Sequence, residues 1–207
     1  MAFEPQNLSN ILGEVVANHG LKQFRTAETE KYAHVTYFFN GGREDPFEGE
    51  DSELVSSPQV ATYDKAPAMS VKAVTDTAIT AVSKAKYGLI VINYANPDMV
   101  GHTGDLDAAI KACEAVDQGL GQVLDALEKV GGAMIVTADH GNCETMVDPE
   151  TGGPHTAHTT NPVPVALVGG PDRAQLHDGR LADLAPTILD LLGLDLPPEM
   201  TGSSLIK

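Results

Sequence analysis

Residues 133–136 form a short apolar run that stops at a polar loop with the sequence Thr-Ala-Asp-His-Gly-Asn-Cys-Glu. Glycines flank the run, so it predicts a buried strand that ends in a tight turn. Ligands bind at the carboxyl ends of strands in an open parallel sheet. Asp139 and His140 occupy this position, and a carboxylate beside a neutral imidazole suits manganese, zinc or iron. Taken alone, however, the pair is more typical of an ordinary turn.

Helical and apolar segments alternate along the rest of the chain. Amphipathic spacing predicts helices over residues 7–17, 70–86, 105–127 and 183–193. Apolar runs predict strands over residues 34–39, 89–92, 133–136 and 163–168. Residues 26–32 indicate a short helical turn, and residues 43–69 indicate a long surface excursion. Strands that alternate with helices predict an α/β layered fold with a largely parallel sheet.

The helix over residues 105–127 is the longest of these elements. Its spacing predicts a core-facing stripe made of Leu106, Ile110, Cys113, Val116, Leu120, Val123, Leu124 and Leu127.

Composition excludes several classes of partner. The chain has 207 residues, enough for one domain with a real core, and its net charge is −16. Because this charge repels phosphates, we expect neither a nucleic-acid nor a membrane partner. No leader-like segment begins the sequence. Cys113 and Cys143 lack the spacing of a metal knuckle, so we expect free thiols in a reducing, cytoplasmic compartment.

Two further polar clusters accompany the predicted strands. Asp98 and His102 are four residues apart, so a helical turn places them on one face, where they can bind one ion. His155 and His158 lie in the loop before the last predicted strand. Each cluster alone is typical of an ordinary loop. Because three clusters share one edge of a predicted sheet, a metal site explains them better than coincidence does.

Four motifs in order resemble the cofactor-independent phosphoglycerate mutases, a family of the alkaline-phosphatase-like superfamily. They are Ala-Glu-Thr-Glu-Lys-Tyr-Ala-His-Val-Thr at 27–36, Asn-Pro-Asp-Met-Val-Gly-His-Thr-Gly at 96–104, Thr-Ala-Asp-His-Gly-Asn at 137–142 and His-Thr-Ala-His-Thr-Thr-Asn-Pro-Val-Pro at 155–164. Residues 181–193 and 199–205 are similar too, so the resemblance spans nearly the whole chain. It implies an alkaline-phosphatase-like layered fold with a central sheet flanked by helices, incomplete at the N-terminus.

The resemblance also implies a reaction and its residues. Members of the family interconvert 3-phosphoglycerate and 2-phosphoglycerate through a phosphoserine, in glycolysis and gluconeogenesis, as cytoplasmic monomers that use two manganese ions. Lys31 is implied as the catalytic residue between the metals and the substrate phosphate. Of the implied metal ligands, Asp98, His102 and His158 hold one ion, and Asp139 and His140 hold the second.

Parts of the family have no counterpart here. Residues 1–207 resemble only the C-terminal portion of the metal-binding phosphatase domain, without the opening strand and its aspartate ligand, the nucleophilic serine or the inserted transferase domain. We therefore expect one complete metal site and no nucleophile in this chain. Two alternatives stay open. The chain is a catalytically inert metal-binding fragment, or it belongs to another alkaline-phosphatase-like phosphomutase or phosphodiesterase.

Overall fold

The computed structural model describes residues 8–172 and 174–207, so Asn7 of the predicted first helix lies outside the described residues. Its helices are α1 (Leu12–Asn18), α2 (Tyr32–Val35), α3 (Val71–Ser83), α4 (Asn96–Gly101), α5 (Leu106–Val130) and α6 (Leu184–Leu191). Its strands are β1 (Gln23–Glu28), β2 (Glu50–Val55), β3 (Leu89–Asn93), β4 (Met134–Thr137) and β5 (Val165–Val168). Short 3-10 helices occupy Thr29–Lys31, Tyr63–Lys65 and Leu181–Asp183.

Three parallel strands form the main sheet in the order β2-β1-β3. Gln23 of the central strand pairs with Glu50 on one side and with Leu89 on the other. Strands β4 and β5 form a separate antiparallel pair, in which Met134 lies opposite Val168. The predicted α/β class with a parallel sheet flanked by helices is confirmed, and the antiparallel pairing of β5 is the exception to it.

The prediction for residues 26–39 is right about a helical turn, which Thr29–Lys31 form, but wrong about the strand. A helical turn was expected over residues 26–32 and a strand over residues 34–39, but β1 ends at Glu28 and α2 begins at Tyr32. The strand therefore precedes the helical segment instead of following it.

Buried polar side chains explain why β1 escaped prediction. All six of its residues are buried. Gln23 donates to the carbonyl oxygen of Gly13 at 2.8 Å, and Arg25 donates to that of Val35 at 2.9 Å. A strand whose buried side chains are satisfied by hydrogen bonds shows no apolar run, so hydrophobic periodicity does not detect it.

Strand β2 lies within residues 43–69, which were predicted to be irregular. It pairs only with β1 in the described sheet, and its middle residues Asp51, Ser52 and Glu53 are exposed. A charged edge strand of this kind resists pairing with other chains. It also carries no apolar alternation, which is why the sequence indicated a loop.

Helix α5 begins where it was predicted to begin, ends three residues later than predicted, at Val130, and buries only part of the predicted stripe. Asp105 accepts a hydrogen bond from the Ala108 amide at 2.9 Å at its start. Leu106 and Ile110, predicted to face the core, are 50% and 48% exposed. The buried residues of the helix are Ala108, Ala109, Ala112, Gly119, Val123 and Ala126, so Val123 is the member of the predicted stripe that is fully buried.

Small residues allow the neighbouring helices to approach α5 closely. A β-carbon at Gly119 would lie 2.6 Å from the hydroxyl oxygen of Thr75 on α3. A leucine would not fit at position 119, so a small residue faces α3 there. Among the described helices, none is both long and apolar enough to cross a membrane.

One apolar cluster joins the two sheets through the helices. It contains Ala78 and Val82 of α3 and Val123 and Ala126 of α5, and Ile90, Ile92 and Met134 pack against it. Strands β3 and β4 therefore share a helical layer although they are not paired in the described sheets. The loops after these two strands meet, and they carry the polar residues described next.

Candidate metal centre

Three loops bring the predicted ligands together. Asp98 lies on α4, which follows β3; His140 lies directly after β4; and His158 lies in the loop before β5. One ligand atom from each of these three residues lies within 4.8 Å of the others. The sequence clusters therefore converge at one place in the described structure.

The imidazoles are grouped around one oxygen atom of Asp98. Nε2 of His158 lies 2.9 Å from Oδ1 of Asp98, and Nε2 of His102 lies 3.0 Å from the same atom. The ring of His140 stacks on that of His158 with centroids 3.8 Å apart. Nε2 of His140 is 3.9 Å from the Asp98 oxygen. This geometry gathers one carboxylate and three imidazole nitrogens.

Asp139 and His155 occupy more peripheral positions. The side chain of Asp139 is 64% exposed, and its Oδ1 atom lies 3.6 Å from Nε2 of His140. His155, which the sequence offered as an alternative to His158, uses its backbone amide to donate to Met146 at 3.0 Å. Of these two histidines, only His158 contacts Asp98 in the described hydrogen bonds.

Backbone carbonyl groups orient two of the imidazoles. Nδ1 of His102 lies 2.7 Å from the carbonyl oxygen of Thr156, and Nδ1 of His140 lies 3.3 Å from that of Gly141. A carbonyl oxygen only accepts, so the proton of each ring resides on Nδ1. In the neutral ring this tautomer leaves the Nε2 lone pair for metal ligation.

Asp98 is held from both sides. Asn142 donates its side-chain amide to Oδ1 of Asp98 at 3.0 Å, and the ammonium group of Lys31 forms an ion pair with Oδ2. Burial opposes ionisation of this carboxyl group, but the hydrogen bonds and the positive charge of Lys31 outweigh it and lower the pKa of Asp98 to about 2. The carboxylate is therefore ionised at neutral pH.

Lys31 reaches the cluster from the main sheet. It ends the 3-10 helix that follows β1, and its side chain is only 10% exposed. Sequence reasoning expected this lysine near the metals, and the structure places its charge directly on the carboxylate of Asp98.

Glu144 was not predicted as a site residue. Its carboxylate accepts from the Asn142 amide at 2.6 Å, from the Asn161 side chain at 2.9 Å and from the hydroxyl group of Thr159. These bonds lower the pKa of Glu144 to about 2 although burial opposes them, and the bond from Thr159 has the largest effect. Glu144 thus connects the loop of His140 to the loop of His158. The only signal in the sequence was its place in the polar loop after β4.

His34 is a second residue that sequence reasoning missed. Burial and the charge of Lys31 lower the pKa of His34, whereas Asp139 and Asp98 act in the opposite direction. These neighbours place His34 beside the cluster. Its position three residues after Lys31, in the same motif, was the available signal.

The donor set indicates which ions fit. Calcium and magnesium prefer oxygen ligands, whereas imidazole nitrogen together with carboxylate oxygen suits manganese, iron and zinc. Asp98, His140 and His158 form one group of such atoms, and His102 contacts the same Asp98 oxygen. The residues present therefore fit a divalent transition metal.

Comparison with known proteins agrees with this chemistry. A family model described as the metalloenzyme superfamily matches residues 2–196. The chain belongs to the metalloenzyme superfamily.

The relatives of the chain within the superfamily are phosphoglycerate mutases. The 2,3-bisphosphoglycerate-independent phosphoglycerate mutase of Paracoccus denitrificans is 66% identical over 205 residues, which cover 99% of this chain and 40% of that protein. The enzyme of the same name from Nostoc punctiforme is 66% identical, over 100% of this chain and 40% of that protein. The chain thus spans about 40% of the length of the curated relatives it matches.

A solved structure matches closely as well. The crystal structure of Leishmania mexicana phosphoglycerate mutase at low cobalt concentration superposes with a TM-score of 0.88 and 37% sequence identity, over 95% of this chain and 39% of that one. The resemblance stated from the sequence motifs is therefore confirmed, and the chain corresponds to a partial segment of these mutases.

Proposed function

We propose that residues 1–207 are the C-terminal portion of the metal-binding phosphatase domain of a phosphoglycerate mutase that interconverts 3-phosphoglycerate and 2-phosphoglycerate in glycolysis and gluconeogenesis. The observation that carries the proposal is the convergence of Asp98, His140 and His158, with Lys31 paired to Asp98. The names of the relatives favour a mutase over a phosphopentomutase or a phosphodiesterase.

Manganese is the metal we propose, with two ions in the full-length enzyme. Asp98, His102 and His158 hold the first, and Asp139 and His140 contribute to the second. The contacts of His102 and His158 with one oxygen atom of Asp98 support a complete first site. The exposed position of Asp139 supports a second site that needs ligands from elsewhere.

The residues of this chain have distinct tasks in the reaction. When bound, the metals stabilise charge on the phosphoryl oxygens and activate the attacking serine. Lys31 binds a phosphoryl oxygen with its ammonium group and orients the transferred phosphate. Glu144 and Asn142 hold the ligand-bearing loops in register. The serine nucleophile, and the groups that orient the glycerate, come from the part of the enzyme that has no counterpart in these residues.

The remaining properties follow from the same proposal. The enzyme acts in the cytoplasm, as a monomer, on a small phosphorylated substrate, and it binds neither nucleic acid nor membranes. The net charge of −16 supports the last point, because this charge repels polyanions. Cys113 and Cys143 are both free thiols, which supports a reducing compartment.

A chimera tests the proposed activity. The matching segment of the Paracoccus denitrificans mutase is replaced by this chain, and mutase turnover is measured by coupling to enolase with manganese present. We expect turnover within about tenfold of the parent enzyme, since 66% of the exchanged residues are identical. His158→Ala in the chimera should abolish it. A folded, manganese-loaded chimera without turnover would contradict the assignment of these residues to the mutase.

A further inference from the structure

The two cysteines lie on different elements but meet in space. Cys113 is on α5, and Cys143 is in the loop after β4. Cys143 packs against an apolar cluster that includes Ala109 and Ala112 of α5. Because a helical side chain leans toward the N-terminus of its helix, the Cys113 thiol covers the turn that begins at Ala109. The two thiols thus share one patch, close enough for each to shift the pKa of the other.

This contact makes the two thiols chemically unequal. The adjacent Cys143 side chain lowers the pKa of Cys113 although burial opposes it, and the adjacent Cys113 side chain raises the pKa of Cys143. Cys113 is also the exposed member of the pair. An accessible thiol with a lowered pKa reacts first with oxidants, and a second thiol beside it can then resolve the product.

Cys143 is connected to the candidate metal centre through its other neighbours. Its thiol donates to the carbonyl oxygen of Pro97 at 2.7 Å, and Pro97 precedes Asp98. The preceding residue, Asn142, donates to the Asp98 carboxylate at 3.0 Å. A β-carbon at Gly101 would lie 3.0 Å from the Cys143 sulfur, so α4 packs closely against this loop.

We propose that Cys113 and Cys143 form a reversible disulfide under oxidising conditions and that this bond weakens metal binding at Asp98. The second half of this inference rests on the proposed metal-binding function. The disulfide itself requires only the two thiols.

The oxidation balances with hydrogen peroxide as the oxidant. The Cys113 thiolate attacks one peroxide oxygen, the O–O bond breaks, and a sulfenic acid and water form after protonation. The Cys143 sulfur then attacks the sulfenic sulfur, the S–O bond breaks, and a second water leaves. Two thiols and one peroxide thus give one disulfide and two waters. A small-molecule thiol reverses the reaction by thiol–disulfide exchange.

The disulfide changes the support of Asp98 in two ways. Cys143 loses the hydrogen that it donates to Pro97, so that carbonyl group is left without this donor. The sulfur also moves toward α5 to reach bonding distance, which pulls Asn142 away from Asp98. Loss of contacts that orient a metal ligand typically costs about tenfold to hundredfold in affinity. We therefore expect at least about tenfold weaker binding.

The test uses the 207-residue chain treated with hydrogen peroxide and then freed of it. Intact mass and peptide mapping detect a bond between the peptides that contain Cys113 and Cys143. Manganese affinity is measured by calorimetry before oxidation, after oxidation and after reduction with dithiothreitol. Cys113→Ala, treated in the same way, is the matched control and should keep the affinity of the reduced protein.

Each outcome decides the inference. A 113–143 crosslink with weakened, reducible manganese binding supports it. Dimers or separate sulfinic acids in place of the crosslink overturn it, and so does a crosslink that leaves the affinity unchanged. If the reduced chain binds no manganese, the proposed metal-binding function fails, whereas the mass measurement still reports on the disulfide.

Discussion

The ammonium group of Lys31 is paired with Oδ2 of Asp98, while Oδ1 of the same carboxylate faces His102 and His158. Lys31 follows β1 and Asp98 follows β3, and these strands are neighbours in the parallel sheet. One carboxylate therefore joins the lysine expected to contact the substrate to the imidazoles expected to bind metal. A substitution of Lys31 must therefore change how strongly Asp98 is available to bind a metal ion.

Lys31→Met should raise manganese affinity in the 207-residue chain by about tenfold, or about 1.4 kcal/mol, because the ammonium group competes with the metal for Asp98. Lys31→Arg retains the charge and is the matched control. In the chimera, Lys31→Met should nearly abolish turnover while manganese content stays unchanged. Calorimetry and metal analysis measure the two effects. Loss of metal from Lys31→Met would show that Lys31 supports the ligands.

Asp98 should contribute stability that disappears in acid. Its pKa in the folded chain is about 2, below its ordinary value of 3.8. A lowered carboxyl pKa stabilises the fold above the ordinary value, and this stabilisation is lost as the pH falls toward the folded value. It amounts to about 2 kcal/mol, of which about 1 kcal/mol is lost by about pH 3.

The measurement is the free energy of unfolding by urea in the presence of a chelator. The difference between the unchanged chain and Asp98→Asn should shrink by about 1 kcal/mol between about pH 6 and about pH 3. A difference that does not change with pH would contradict the ion pair of Asp98 and Lys31.

Glu144→Ala should weaken manganese binding by about tenfold, because it removes the carboxylate that joins the loops of His140 and His158. Glu144→Gln keeps one acceptor oxygen and should recover part of the affinity. Glu150→Ala removes an equal charge from an exposed position and should change nothing. The melting temperature of the metal-free proteins separates a loss of positioning from general unfolding. Equal affinities for Glu144→Ala and Glu150→Ala would exclude the positioning role.

Local patterns were enough to predict α5, β3 and β4. Asp105 is a capping residue that marks the start of α5, and apolar runs mark both strands. Strand β1 could not be predicted in this way, because hydrogen bonds from Gln23 and Arg25 replace apolar side chains in its buried positions. Of the buried residues of α5, Val123 was predicted but the alanines and Gly119 were missed, because close helix packing at Gly119 favours small residues that no apolar stripe marks.

The candidate site was predicted only where spacing or motif residues marked it. The four-residue spacing of Asp98 and His102 indicated a shared face, and the structure shows that contact. The choice between His155 and His158 depends on a contact 60 residues away in sequence, which no local pattern encodes. The role of Glu144 depends likewise on two loops that only the fold brings together.

The chain alone should not interconvert 3-phosphoglycerate and 2-phosphoglycerate, even with saturating manganese. Phosphoryl transfer needs an in-line nucleophile, and positioning of the reactants supplies about 7 to 11 kcal/mol of the rate enhancement. By the proposed assignment, the serine and the substrate-orienting domain belong to the part of the enzyme that lies outside these residues. An enolase-coupled assay measures turnover, and Asp98→Ala serves as the control for contaminating enzyme. Robust turnover that vanishes in Asp98→Ala would reveal a nucleophile within this chain.

Calorimetric titration of the reduced 207-residue chain with manganese tests the central claim most directly. The proposed site of Asp98, His102 and His158 is complete within the chain, whereas that of Asp139 and His140 is not. We therefore expect one strong binding event, which His158→Ala abolishes and His19→Ala, at the end of α1 and outside the cluster, leaves intact. Two equal and tight events, or strong binding that survives His158→Ala, would contradict the account.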